Sequence, residues 1–168
     1  MQSIDPKQIS DNLISLISKE WMLVTAGNAT SFNTMTASWG AMGYLWNRPV
    51  AFIFIRPERY TYEFIERNDG FTLSFLGEAH REAYKICGSH SGRDMDKIQA
   101  AHLHPATTPA GLVTFEESRL TLECQKIYAT TIQSDSFIDP SIYSQWYGGT
   151  HGGDHKLYIG AINACYIR

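Results

Sequence analysis

"GLVTFEESRLTLECQKIYATTI", residues 111 to 132, alternates apolar and polar side chains and is rich in threonine, β-branched and aromatic residues. A period of two sets one face of an extended chain against a core, so the stretch predicts strand structure. "HKLYIGAINACYIR" at 155 to 168 reads the same way. Upstream, "FTLSFLG" (71–77), "VAFIFIR" (50–56), "TMTASWG" (34–40) and "EWMLVTAG" (20–27) are further strand-like runs, the last two bracketing the turn-forming "NATSFN". Between them lie helical patterns. "PERYTYEFIERN" has Pro57 in its first turn and stops at Asn68-Asp69-Gly70, "EAHREAYKIC" follows, and "DMDKIQAAHLH" ends before Pro105 and Pro109. At the start, "SIDPKQISDNLISLIS" offers Asp5 as N-cap, Pro6 at the first helical position and apolar residues at Ile9, Leu13, Leu16 and Ile17, an amphipathic helix. Strands dominate both ends and helices fill the middle. The expected fold is therefore mainly β, a closed or partly closed barrel with a few inserted helices and an N-terminal helix.

The chain has 168 residues, 43% of them apolar, enough for one substantial core, and residues 1–168 are read as a single domain. Formal charge is −3 with no single-sign run, which argues against a nucleic-acid surface. No apolar run reaches the roughly eighteen residues of a membrane span, and "MQSIDPKQIS" lacks a basic start before an apolar stretch, so the expectation is a soluble, cytoplasmic protein. Cys87, Cys124 and Cys165 are odd in number and far apart, as reduced buried thiols would be. Neither they nor the histidines at 102, 104, 151 and 155 show metal-ligand spacing, and no metal site is expected.

Two stretches suit an anion. "KICGSHSGRDMDK" (85–97) puts two glycines and small polar residues before a helix start carrying Arg93 and Lys97. Helix N-termini leave N–H groups unpaired and favour negative charge. Ser91 followed by Asp94 equally fits a capping box in a plain connector. "RPERYT" (56–61) brings Arg56, Arg59 and the Thr61 hydroxyl to a second helix start. Paired arginines and hydroxyls match a phosphate monoester, although ion pairs with Glu58, Glu63 or Glu66 would use the same residues. In "NTMTASWG", alternation places Thr34, Thr36 and Ser38 on one face, leaving room for something flat, or else simply serving β propensity. The aromatic, glycine-rich "SDSFIDPSIYSQWYGGTHGGDH" reads as a loop over a site or interface.

In this order, "NTMTASWG", "RPERYTYEFIERNDGFTLSF", "REAYKICGSHSGRDMDK" and "GDHKLYIGAI" resemble the flavin reductase-like family with the FMN-binding split barrel, in its flavoredoxin-like branch, over residues 20 to 168. The resemblance implies FMN as cofactor. Its ring would lie along Asn33, Thr34, Met35, Thr36, Ala37 and Ser38, and its phosphate against Arg56, Arg59, Tyr60 and Thr61, with Ser89, Ser91, Gly92, Arg93 and Lys97 enclosing it. Asp94 and Asp96 should then point away, since a carboxylate beside phosphate is repulsive. It also implies His155, in Gly153-Asp154-His155, near the flavin edge or a nicotinamide pocket as the catalytic candidate. Relatives often carry an acidic residue after the glycine of the next strand; here it is Ala161. Homodimerisation is a further implication.

The function expected from this resemblance is an FMN oxidoreductase, passing electrons from NAD(P)H or another donor to free flavin, a metal chelate or a protein. The alternative is a non-enzymatic flavin-binding carrier or sensor without a nicotinamide site, its ring covered by Phe137, Trp146 and Tyr147. An unrelated small-ligand barrel with a structural Gly/Ser loop is the third reading.

Overall fold

The computed structural model describes residues 1–168. Ten strands form: β1 (Gln2–Ile4), β2 (Met22–Asn28), β3 (Ser31–Ala37), β4 (Gly40–Leu45), β5 (Arg48–Ile55), β6 (Gly70–Phe75), β7 (Pro105–Thr107), β8 (Val113–Phe115), β9 (Leu120–Thr131) and β10 (Lys156–Ile167). The helices are α1 (Leu13–Ser15), α2 (Tyr60–Arg67), α3 (Arg81–Ser89), α4 (Lys97–Ala100) and α5 (Pro140–Trp146). Eight strands make one antiparallel sheet in the order β3-β2-β6-β9-β10-β5-β4, with β1 added on β10, while β7 and β8 form a separate hairpin. β3 and β4 end the sheet without pairing to each other. Even so, Val24, Met35, Ile53, Phe71, Leu122 and Tyr158, drawn from strands across the whole sheet, share one buried cluster. The sheet thus curls around a single core, split along the β3 and β4 edges. Helix α2 closes that core with Phe64 and Ile65. On the outer face of β2, Leu23 packs with Tyr84 and Cys87 of α3 in a smaller cluster.

The strand expectations from 20 to 77 and from 111 onward are matched by β2, β3, β5, β6, β8, β9 and β10. Strand β4 was not anticipated; Trp46 and Asn47, with φ of 49° and 58°, form the two-residue left-handed turn that joins it to β5. The N-terminal segment departs from one amphipathic helix. Asp5 caps only a single 3₁₀ turn, Pro6–Gln8, and the chain then opens until Asn12 caps α1, which runs into a wider turn over Leu16–Glu20. Ser10, Asp11 and Asn12 explain the break, because short polar side chains compete for backbone groups and favour caps over helix interiors. Pro57 lies before α2, whose N-cap is Arg59. The helix expected over 94–104 is only α4, because Asp96 accepts from Ile98 and Gln99 N–H and starts it there, and His102, at φ 51°, ends it. The segment 134–155 carries α5, capped by Asp139. No helix is long and apolar enough to cross a membrane.

Gly160 sits at a register shift between β10 and β9, where an added Cβ would lie 2.6 Å from Phe71 Cζ and 3.0 Å from Cys124 Cβ. Phe71 is fully buried and has no free space to yield. Gly160→Ala is expected to destabilise the fold by about 1–3 kcal/mol. Thermal unfolding followed by circular dichroism checks it: an unchanged melting temperature would mean that Phe71 repacks freely.

Candidate functional site

Strand β3 pairs only with β2, so alternate backbone groups along its other edge have no strand partner. The Thr34 carbonyl is one of these, and Lys97 Nζ donates to it at 2.6 Å. Thr36, two residues on, presents its N–H and C=O to the same edge. Lys97 opens α4 and is only 4% exposed; its ammonium also donates to the Cys87 carbonyl at 3.4 Å. Arg59, at the cap of α2, donates from Nη1 to Gly88 O at 2.8 Å and from Nη2 to Cys87 O at 3.4 Å. Two cations therefore converge on the last turn of α3, where unpaired carbonyls concentrate negative potential.

Beside them lies a cavity of about 160 Å³ lined by Arg59, Lys97, Asn33, Thr61, Ser89 and Ser91, with Met35, Glu58, Tyr60 and His90 completing the wall. Asn33 Nδ2 donates to Thr61 Oγ1 at 2.7 Å, which leaves the Thr61 proton for another acceptor. Gly92 permits this arrangement, since a Cβ there would stand 2.2 Å from Asn33 Oδ1. Burial pushes the Lys97 ammonium down to about 8, lowers Arg59 from its ordinary value and lifts the Cys87 thiol to about 11. Asp96 is spent capping α4, and neither it nor Asp94 lines the cavity.

Two residues grouped with the phosphate side do not line this cavity. Arg56 donates to Gly153 O at 2.7 Å and Trp146 O at 2.8 Å, with its guanidinium 5.2 Å from the Tyr147 ring centroid. It ties down the 146–153 segment. Arg93 pairs with the Glu63 carboxylate, donates to Glu58 O at 3.2 Å and stacks on Tyr60. In both cases the partners come from segments distant in the chain, which local spacing does not encode. Two hydroxyls of β3 are bonded within the chain, while Thr36 and Ser38 also border a cavity along this strand. Thr34 Oγ1 bonds to Thr25 Oγ1 at 2.9 Å, and Thr36 Oγ1 donates to Tyr84 O at 2.6 Å. Small side chains there make room for α3, whose Gly88 would set a Cβ 3.3 Å from Thr36 Cβ.

A second cavity, about 320 Å³, runs along residues 35 to 39 and is closed by Phe54, Arg56, Trp146, His151 and His155. Met35 borders both cavities. His155 is 8% exposed among Trp39, Phe54 and Tyr147, with ring centroids at 5.3, 6.5 and 5.5 Å. Burial, reinforced by the Arg56 charge, pushes its pKa down to about 4, so the imidazole is neutral at pH 7. Glu58 is held below its ordinary value by the Gly153 N–H, which donates to its carboxylate. Glu58, His90, Phe54 and His151 were not among the expected site residues. Phe54 had a signal, since it lies two residues before Arg56 on the same strand face; the others had none.

A sheet split along β3 and β4, with a cleft against the open β3 edge, defines an FMN-binding split-barrel fold, and solved structures share it. An FMN-binding protein of Thermus thermophilus with bound p-hydroxybenzaldehyde aligns over 100% of this chain and 82% of its own, at 21% identity and a TM-score of 0.70. Flavoredoxin of Desulfovibrio vulgaris (Miyazaki F) covers 98% and 77%, at 20% identity and 0.68. Component B of nitrilotriacetate monooxygenase from Bacillus cereus covers 99% and 81%, at 16% identity and 0.69. The flavin reductase like domain family matches residues 14–168, and the chain belongs to that family. An uncharacterized protein of Escherichia coli (strain K12), YddH, is 32% identical over 114 residues, which span 63% of this chain and 60% of the relative's length.

The buried ammonium leaves a pH signature. The Lys97 pKa is lowered from an ordinary 10.5 to about 8, so between these values the unfolded chain binds more protons than the folded one. This group's contribution to stability therefore rises with pH across that window and is constant below it. Relative to Lys97→Met, the wild type gains stability from pH 8 to 10.5 in urea titrations. A difference that stays flat there would contradict a buried charge at Nζ.

Proposed function

We propose that this chain is an FMN-binding oxidoreductase that receives electrons from a reduced nicotinamide or another donor and delivers them to a small-molecule or protein acceptor. One observation carries it: Arg59 and Lys97, from separate helices, meet at a cavity that shares Met35 in its wall with a second one along the open edge of β3. The donor set fits FMN. Two cations and the hydroxyls of Thr61 and Ser91 suit a phosphate, Ser89 Oγ being already bonded to Lys85 O at 2.7 Å, and the backbone edge beside Thr36 suits the carbonyl and nitrogen edge of a planar ring. Bound FMN would supply the redox chemistry, accepting and passing on a hydride or electrons. The chain itself grips the phosphate, orients the ring on β3, and restricts water with Trp39, Phe54 and Trp146. The Glu58 carboxylate accepts from the Gly153 N–H, and its charge is a cost that Arg59 and Lys97 must offset.

A carrier without a nicotinamide site is the second reading, favoured by Trp146, which meets Trp39 edge-on at 5.1 Å and narrows the ring cavity. Mixing the FMN-loaded protein with NADH or NADPH under anaerobic conditions separates the two: rapid bleaching supports the reductase, bleaching by dithionite alone the carrier. Homodimerisation belongs to the proposal. Exposed Trp46 lies beside exposed Tyr128, with Tyr44 and Ile127 also exposed, a set of large apolar side chains suited to a second copy. Sedimentation at a single mass of one chain would remove it.

The phosphate role is tested by comparing FMN with riboflavin. Arg59→Ala is expected to weaken FMN by roughly tenfold to a hundredfold, the range of a lost charge-assisted hydrogen bond, and riboflavin little. Equal losses would exclude Arg59 from the phosphate. Wild-type affinity for FMN is further expected to fall as pH rises beyond about 8, because deprotonated Lys97 no longer attracts the dianion, while riboflavin affinity stays level.

A further inference from the structure

His155 has two ring nitrogens, and only one finds a partner within the chain. Nδ1 lies 3.1 Å from the Tyr147 hydroxyl. Nε2 makes no hydrogen bond, yet no buried side-chain nitrogen or oxygen is left without one. Nε2 must therefore reach open space, and the space His155 borders is the cavity along β3.

Which partner donates between Tyr147 and His155 decides what Nε2 is. Tyr147 is 7% exposed, and its hydroxyl has His155 as its single partner. Around it stand the Phe137 and Tyr143 rings, at 5.8 and 5.3 Å. Were Nδ1–H the donor, the phenolic proton would have no acceptor in this aromatic wall, whereas an O–H directed at Nδ1 leaves no group unpaired. The donation then fixes the other nitrogen as N–H, since a neutral imidazole carries one proton. Neutrality has its own support. The charged groups around the ring are the Arg56 guanidinium at the end of β5 and the carboxylates of Glu58 and Asp154. Burial and Arg56 act against protonation, and both carboxylates are already engaged, Glu58 by Gly153 N–H and Asp154 by the Tyr143 hydroxyl at 3.0 Å.

We propose that Tyr147 is a positioning residue that holds His155 in the neutral Nε2–H form, so that the cavity along β3 receives a hydrogen-bond donor in place of a base. The proposal rests on reading that cavity as the ring site. It specifies the ligand chemistry there: a planar molecule whose in-plane carbonyl oxygen or unprotonated ring nitrogen meets Nε2–H. A ligand presenting an N–H at that point is disfavoured. Arg56 belongs to the same device, because its bonds to the carbonyls of Trp146 and Gly153 fix both ends of the segment that carries Tyr147 towards His155.

Long-range proton–nitrogen NMR of the full chain labelled at histidine nitrogen, at pH 7 and with no flavin present, reads the form directly. His155→Gln identifies the signals among six histidines. The expected wild-type spectrum shows Nε2 protonated and Nδ1 unprotonated but shifted upfield by an accepted hydrogen bond. In Tyr147→Phe that upfield shift is lost and the Nδ1–H form gains population. A wild type protonated at Nδ1, or a Tyr147→Phe spectrum identical to wild type, overturns the proposal. The wild-type spectrum decides which nitrogen holds the proton even if the variant fails to fold. FMN is then added to the wild type. A shift of the Nε2–H proton supports a ligand acceptor at this atom; no shift, with the expected protonation intact, overturns the ring-site reading and leaves the pairing of Tyr147 with His155 standing.

Discussion

The bond from Lys97 Nζ to the Thr34 carbonyl fixes the arrangement on which the candidate site depends. An ammonium buried to this degree is costly unless its protons are taken up by acceptors, and an edge strand has carbonyls to offer. The two needs answer each other. The bond pins α4 to β3 across the end of α3, and Arg59 reaches the same helix end from α2. Three helices and the sheet edge are thereby locked around a small cavity lined by Arg59, Lys97, Thr61 and Ser91.

A second lock acts at the far end of β3. Arg56 and Glu58, two residues apart, hold the 146–153 segment by its backbone, the arginine through two carbonyls and the glutamate through one N–H. Backbone contacts of this kind place the segment without dictating most of its side chains. The aromatic residues are thus free to shape the cavity, with Trp146 against Trp39 and the rings of Tyr143 and Tyr147 stacked at an interplanar angle of 14°. The charged residues of "RPER" therefore serve two places: Arg59 the small cavity beside Lys97, Arg56 the cover, with Glu58 bordering the cavity while holding Gly153.

The same geometry separates residues that binding demands from those that packing demands. Thr36 is small and hydroxylated where α3 lies on it, the Thr34 hydroxyl is taken up by β2, and Gly92 is glycine because Asn33 leaves no space for a Cβ. In each case a packing constraint produces a sequence feature that reads as a ligand contact. The element proposed to face the ring is the backbone between them, which has no side-chain signature at all.

Much was legible in the sequence. A period of two marked seven of the ten strands, and the residue types Asp5, Asn68-Asp69-Gly70, Pro105 and Pro109 marked breaks, because these signals are local and reside in each residue's own steric and hydrogen-bonding preferences. The fragments "NTMTASWG", "RPERYT" and "GSHSGRDMDK" pointed to one site, and Arg59, Thr61, Ser89, Ser91 and Lys97 do line one cavity. Tertiary structure alone decided that Arg56 and Arg93 turn elsewhere, that Glu58 grips Gly153, and that Tyr147 meets His155. These outcomes depend on contacts such as Arg56 with Gly153, 97 residues apart, and Lys97 with Thr34, 63 apart. Local periodicity says which face a side chain occupies; what lies opposite that face is set only when the sheet curls and its distant segments close upon one another.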